Sequence, residues 1–337
     1  MQEIIIGANQ AGQRFDKFLH KYLPEAGTGF LYKMLRKKNI TLHGKKAEGR
    51  EMLCQGDVVR MFFAEDTFLK FRPASADCGT GGNRGAASIA PQYAKAFKQL
   101  HNITVIYEDE NIVVLNKPAG ILTQKAKDSD VSLNEWLIGY LLENGKITEE
   151  ELQTFRPSVC NRLDRNTSGL VLCGKSLSGS QSLSELIRTR KLQKFYRTVC
   201  VGEIDAEAYV EGYLTKDEHT NKVSISNRGE GGEQIQTAYR PLFTNGKYTL
   251  LEVELITGKT HQIRAHLAST GHPLIGDYKY GSREVNNRLK QEFGLEWQLL
   301  HAHRIVFPDG REIAAPCPEQ FERIVEGLLE LQPENTL

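Results

Sequence analysis

The chain has 337 residues, with 43 Lys or Arg against 42 Asp or Glu, so it is nearly neutral overall. That length exceeds the roughly 100–200 residues of one ordinary domain, so two domains are expected, with ample chain to bury a core. No apolar run approaches the roughly 20 residues that span a bilayer, the opening MQEIIIGANQAG has no basic stretch ahead of a long apolar core, and the six cysteines form no CxxC pair. These features argue against a membrane span, a signal peptide, a disulfide framework and a zinc site, and they lead us to expect a reducing cytoplasm.

In chain order, the first element is a helix in GQRFDKFLHKYLP. Phe15, Phe18, Leu19 and Tyr22 recur at helical spacing, and Pro24 ends the run. A second helix follows in FLYKMLRKKN, with Leu31, Met34 and Leu35 on one face. ITLHGKKA then reads as a strand, a turn at Gly44 and a return, and LCQGDVVRMFF as a turn at Gly56-Asp57 and a closing strand. Between Arg14 and Arg60 eleven bases face five acids, a local excess that suits a polyanion. Two helices, a small sheet and bases on the second helix and the hairpin resemble an S4-type RNA-binding domain over roughly residues 12–63. The resemblance implies that Arg36, Lys37, Lys38, Lys45 and Lys46 contact RNA.

The stretch FRPASADCGTGGNRGAASIAPQ (71–92) is rich in Gly, Ala and Ser without a hydrophobic period, so it reads as a flexible linker. The expected division is an RNA-binding domain over 1–72, a linker over 73–100 and a larger domain over 101–332. In the larger part, ITVIYEDENIVVLNKPAG reads as a hairpin and GLVLCGKS as a buried strand. SLSELIRTRKL is an amphipathic helix. KFYRTVCVGEI, QIQTAYRPLFT and YTLLEVELITG are strands, HQIRAHLASTG is a helix ended by Gly271, and FERIVEGLLELQ is a C-terminal helix. Hairpins outnumber βαβ crossovers in this reading, so the fold class is α+β with a mixed, largely antiparallel sheet.

The chemistry concentrates in two stretches. In NRLDRNTSGL (161–170), Asp164 is the only acid and stands between Arg162 and Arg165. Residues two apart on an extended chain face one side, so Arg162 and Asp164 point together into one cleft. Nearby guanidinium charge favours an ionised carboxylate, which suits a nucleophile or an electrostatic stabiliser rather than a general acid. A structural Arg–Asp pair is the competing reading of this stretch alone. Thr167 and Ser168 are placed to bond the backbone of the turn. In ITGKTHQIRAHLASTGHPLIGD (256–277), Thr260 is the expected N-cap of a helix whose free N–H groups, with Lys259 and Arg264, would hold a phosphate. His261 and Arg264 share one helix face.

These two stretches, together with EDENIVVLNKPAGI (108–121), KFYRTVCVGEI (194–204) and LHAHRIVFP (300–308), resemble the RluA-type pseudouridine synthase family in order and across 103–330. The S4-like part ahead of them is similar to the ribosomal-RNA branch of that family. Asn161 stands where many members have His, and Asn166 where Asp is frequent. The resemblance implies a cofactor-free, metal-free isomerase acting on uridines of large-subunit (23S) ribosomal RNA as a monomer. It implies that Asp164 is the catalytic aspartate and that Tyr196 packs on the target base. Arg162 would replace the flipped nucleotide or hold its phosphate, and Arg264 would pair with Asp164. Lys117, Lys259 and His261 are further expected RNA contacts, a plain surface turn being the competing reading of Lys117. Tyr196 as an ordinary core tyrosine is the competing reading. No GxGxxG or P-loop is present. His301 and His303 face one side of a strand without a third ligand in register, so they are expected to be structural rather than metal-bound. A non-catalytic RNA-binding protein and an N-glycoside hydrolase are the rival functions.

Overall fold

The computed structural model describes residues 1–71, 90–217, 222–226 and 231–330. Two separate sheets organise it. The N-terminal unit runs β1 (Gln2–Ile5), α1 (Phe15–Tyr22), α2 (Thr28–Arg36), β2 (Ile40–Leu42), β3 (Lys45–Lys46), β4 (Val58–Met61) and α3 (Glu65–Phe71). Its strands lie in the order β1-β4-β2-β3, all antiparallel. Phe15, Phe18 and Leu19 of α1 and Leu31 and Leu35 of α2 close on Ile40, Val59 and Met61 as one core. Each such side chain stabilises the unit by about 1.5–3 kcal/mol when fully buried. The two expected helices and the β2–β3 hairpin form as the periodicity predicts. The edge strand β1 and α3 are additional. Helix α3 earns its place through aromatic packing: Phe68 is buried in the core, and the Phe71 ring lies 4.4 Å from that of Phe30.

The larger unit begins with α4 (Ala90–Gln99), β5 (Thr104–Glu108), β6 (Ile112–Lys117), α5 (Leu133–Glu143), β7 (Ser158–Val159), β8 (Ser168–Gly174) and α6 (Leu177–Arg188). It continues with β9 (Gln193–Val201), β10 (Ala208–Lys216), β11 (Val223–Ser226), β12 (Glu233–Thr244) and β13 (Tyr248–Leu255). It closes with α7 (Gln262–Ser269), α8 (Arg283–Phe293), β14 (Leu300–Val306), β15 (Glu312–Ala314) and α9 (Glu319–Leu329). Among the described residues the strands form one sheet in the order β11-β10-β12-β13-β9-β14-β8-β6-β5, with β15 on β14 and β7 on β8. Only β14 and β8 run parallel, so the class is α+β with a largely antiparallel sheet, as expected.

The expected linker over 73–100 extends too far. Residues 90–99 are the helix α4, and its 73–89 part, like residues 331–332, lies outside the described residues. Helix α4 is fixed because it packs on α5 at Gly139, where an added Cβ would stand 2.3 Å from the Tyr93 carbonyl oxygen. Phe97 then meets the Trp136 ring at 5.5 Å. A polar joint connects the two units. Gln10 donates to Thr154 at 2.8 Å, both residues being buried, and Asn9 donates to Glu151 at 3.2 Å. Cys54, Cys160, Cys173, Cys200 and Cys317 are free, and no described helix is long and apolar enough to cross a membrane.

Candidate active site

Asp164 sits on the connection between β7 and β8. Leu163 is buried, and Arg162 and Asp164 both line a cleft with Tyr196, His261, Arg264 and Leu300, brought there by an irregular connection rather than by strand alternation. The turn closes where the Thr167 N–H donates to the Asp164 carbonyl at 3.1 Å. Thr167 and Ser168 reach outward to the β14 region instead of bonding that turn. Gln298 donates to the Thr167 hydroxyl at 3.3 Å, and Ser168 Oγ lies 2.9 Å from His301 Nδ1. Gly169 has φ +114, and an added Cβ would lie 2.3 Å from the Ala302 carbonyl oxygen. Only glycine fits where β8 crosses so close to β14.

The segment after β6 clamps this loop from behind. Thr123 donates to the Leu163 carbonyl at 2.8 Å and accepts from the Leu163 N–H at 3.2 Å. Arg165 Nε donates to the Gly120 carbonyl at 3.0 Å. Lys117 is not at the surface where a phosphate contact would need it. Its side chain is fully buried, and its ammonium donates to the carbonyls of Pro118, Ile121 and Arg165 at 3.0, 2.9 and 3.1 Å. Burial pulls its pKa down to about 7, against the opposing charge of Asp164. Lys117 therefore fixes the backbone next to Asp164 instead of meeting RNA.

Arg264, on α7, is the electrostatic hub. Its Nη1 donates to Asp164 Oδ2 at 2.7 Å, while Nε and Nη2 hold both oxygens of Asp277 at 2.7 and 2.9 Å. Burial works against its charge, but the hydrogen bonds and charges of the two carboxylates outweigh this and raise its pKa further. Asp277 was not singled out from sequence, although it is the only acid in the 256–277 stretch, and that isolation among bases was the available signal. Its side chain has no solvent exposure. Tyr196, on β9, is buried at the back of the cleft. Burial first, and the Asp164 charge second, push its phenol above the ordinary range, so it stays neutral.

The start of α7 differs in detail from expectation. The N-cap is His261, with φ 54 and ψ 17, not Thr260. The Gln262 side chain fills part of the anticipated anion site, accepting from the Lys259 N–H at 3.1 Å and from Thr257 Oγ1 at 2.9 Å. Gln262 and His266 also tie this polar helix to the sheet, bonding Thr237 at 3.0 and 2.9 Å. Lys259 lines the rim of the cleft, its ammonium 2.6 Å from Glu233. Arg36, Lys37, Lys38, Lys45 and Lys46 lie in the N-terminal unit, exposed at the end of α2 and on the hairpin, with no ion pair shown to any of them among the described residues.

A larger groove, about 360 Å³, lies on the other face of the sheet around Phe195, Tyr209, Arg240 and Glu252. Phe195 and Tyr196 are adjacent on one strand and so face opposite ways. The groove's Glu252 is already paired with Arg240 and Arg304, at 3.2 Å each, so the smaller cleft that gathers the motif residues is the stronger candidate.

His301 and His303 do acquire a third neighbour, contrary to expectation. Cys317, beyond β15, brings its sulfur within 4.8 Å of a nitrogen on each. Burial pushes the Cys317 thiol up to about 12, which keeps it protonated, and lowers both histidines; the Arg197 charge opposes the first shift and adds to the other two. The histidines serve structure: both approach the Ala315 carbonyl, at 3.4 and 2.9 Å. Burial lowers His301 to about 4 from 6.5. Between those values the unfolded chain binds the proton and the folded chain does not, so stability rises with pH. The expected loss on acidification from pH 6.5 to 4 is about 3 kcal/mol from this residue. Urea unfolding across that range, compared with His301→Gln, should show the variant to be less acid-sensitive; equal slopes would contradict the assignment.

The chain matches the family described as RNA pseudouridylate synthase over residues 111–269, a span that contains Asp164, Tyr196 and Arg264. It is 31% identical over 339 residues to the ribosomal large subunit pseudouridine synthase C of Vibrio vulnificus (strain CMCP6), aligning 97% of this chain with 96% of that protein. It is 29% identical over 337 residues to the protein of that name from Escherichia coli (strain K12), covering 96% of each. The solved structure of human RNA pseudouridylate synthase domain containing 4 shares the fold, with TM-score 0.55 at 22% identity over 71% of this chain and 96% of that one. The chain belongs to the RNA pseudouridine synthase family, and so to the isomerases. Within it, the relatives aligned nearly end to end are ribosomal large subunit pseudouridine synthases of type C.

Proposed function

We propose that this enzyme converts specific uridines of large-subunit (23S) ribosomal RNA to pseudouridine, with Asp164 as the catalytic carboxylate. The observation that carries the reading is the state of that carboxylate. Arg264 engages Oδ2 from a buried position, no hydrogen bond is shown to Oδ1 among the described residues, and Asp164 lines the cleft. The reaction breaks N1–C1′, turns the base and joins C5 to C1′; C5 gives up a proton and N1 gains one. Substrate and product are isomers, so no redox partner or group donor is consumed. A carboxylate beside C1′ and C6 serves by forming an adduct, by stabilising a sugar cation, or by taking a sugar proton. The base must leave its stack, at a cost of a few kcal/mol. Arg162, exposed at the mouth, fills the gap or holds a phosphate, and the neutral Tyr196 ring gives the base a stacking surface worth roughly 1–3 kcal/mol. Its raised pKa favours stacking over a role as phenolate base.

The N-terminal unit, 1–72, acts in this reading as an S4-like RNA-binding domain. Its exposed Arg36, Lys37, Lys38, Lys45 and Lys46 supply phosphate contacts, and Lys259 adds one at the rim of the cleft. The catalytic domain follows to residue 332. In this reading the enzyme acts as a monomer, and the free cysteines suit the cytoplasm. The test is pseudouridine mapping of large-subunit RNA from cells with and without the gene. One or a few positions should lose the modification and regain it with the wild-type gene. Unchanged maps would overturn the substrate assignment, and release of free uracil by the purified enzyme would favour an N-glycoside hydrolase.

A further inference from the structure

Resting on that reading, we propose that His261 is a positioning residue for Asp164, locked by Tyr280 with its proton on Nε2, the nitrogen facing the carboxylate. His261 occupies the left-handed region, with φ 54, one of six residues other than glycine to do so among the described residues. That backbone aims its ring across the cleft. Nδ1 lies 2.9 Å from the Tyr280 hydroxyl, and Nε2 lies 3.8 Å from Asp164 Oδ2.

The Tyr280 hydroxyl sets the tautomer. It accepts the Val223 N–H at 3.0 Å. Its own proton then needs an acceptor, and His261 Nδ1 is the one shown within reach. A lone pair on Nδ1 places the ring proton on Nε2. The opposite tautomer would leave the phenol proton without an acceptor among the described partners and would turn an Nε2 lone pair toward a carboxylate oxygen. Burial first, then the charges of Arg264 and Lys279, lower the imidazole's pKa, opposed by Asp164 and Asp277. Tyr280 packs edge-on against the His261 ring at 5.7 Å and lies 5.3 Å from the Arg264 guanidinium, so one side chain orders both donors.

Two N–H groups therefore converge on Oδ2, one charged and already bonded, one neutral and held just beyond hydrogen-bond length. A small turn of the His261 side chain closes that gap when the base enters and water leaves. Oδ2 is then doubly held, and Oδ1 is left to meet the sugar.

The test combines nitrogen-15 NMR of the histidines with single-turnover kinetics on an unmodified large-subunit rRNA transcript. In the wild-type protein, His261 should show a protonated Nε2 and an unprotonated Nδ1, and Tyr280→Phe should erode that preference. His261→Leu should lower the bound chemical step roughly 10- to 100-fold, the scale of one hydrogen bond to a charged group, with little change in RNA affinity. His261→Gln, which keeps an N–H near the Nε2 position, should recover most of the rate. Wild-type enzyme that makes no pseudouridine would count against the functional reading, while the NMR assignment still decides the tautomer. A proton on Nδ1 in the wild-type protein, or equal impairment of the folded Gln and Leu variants, would overturn the proposal.

Discussion

Replacing Asp164 with asparagine is expected to reduce pseudouridine formation by about four orders of magnitude, the scale of removing the reacting group from a preorganised site. The fold should survive. Asparagine keeps the shape of the side chain, and Arg264 retains both of its bonds to Asp277. RNA affinity should change little, because the exposed bases are untouched. Single-turnover assays with matched melting curves test this. A folded Asp164→Asn enzyme working within tenfold of wild type would remove Asp164 from the chemistry.

Arg264→Met is expected to act on stability as well as on rate. It leaves Asp277, a fully buried carboxylate, without its hydrogen-bonded ion-pair partner, and removing one partner of a buried pair costs about 3–5 kcal/mol. Adding Asp277→Asn removes the stranded charge while keeping an acceptor for the N–H groups of Lys279 and Tyr280, now at 2.9 and 3.2 Å. The double variant should regain most of the lost stability in urea unfolding and none of the lost activity, since Asp164 still lacks its guanidinium. A double variant as unstable as the single would show that buried charge is not the cause.

The two motif stretches, around Asp164 and Arg264, were readable because each concentrates charged residues locally. Arg162 and Asp164 line one cleft, but they do so on an irregular connection, where strand geometry is not the cause. The pairing of Asp164 with Arg264 was legible only through family resemblance, because nothing local to either residue encodes it. Lys117 was misread for the same reason: as a lysine in a turn it suggests a surface, and its buried setting comes partly from Arg165, 48 residues away. Helix α5 lacked a signal of another kind. Leu133, Trp136, Leu137, Ile138, Gly139 and Leu141 are all buried, so apolar residues surround the helix and its periodic contrast vanishes. Helix α4 was absorbed into the linker because Gly- and Ser-rich sequence leads into it. Cys317 reaches His303 only through the β14–β15 pairing, which sequence spacing does not reveal.

The clamp behind Asp164 has a consequence for how the enzyme comes into being. The Thr123 hydroxyl bonds a residue 40 positions away, the Lys117 ammonium one 48 away, and Arg264 meets Asp164 across 100. Chain closures over such separations must be made before their contacts return any free energy, so they belong to the slow part of folding. The nascent chain therefore holds no competent site until α7 has been synthesised and docked. Local opening of the β6–β8 region would silence the enzyme while much of its secondary structure remained, so catalytic competence reports on the central sheet rather than on helix content.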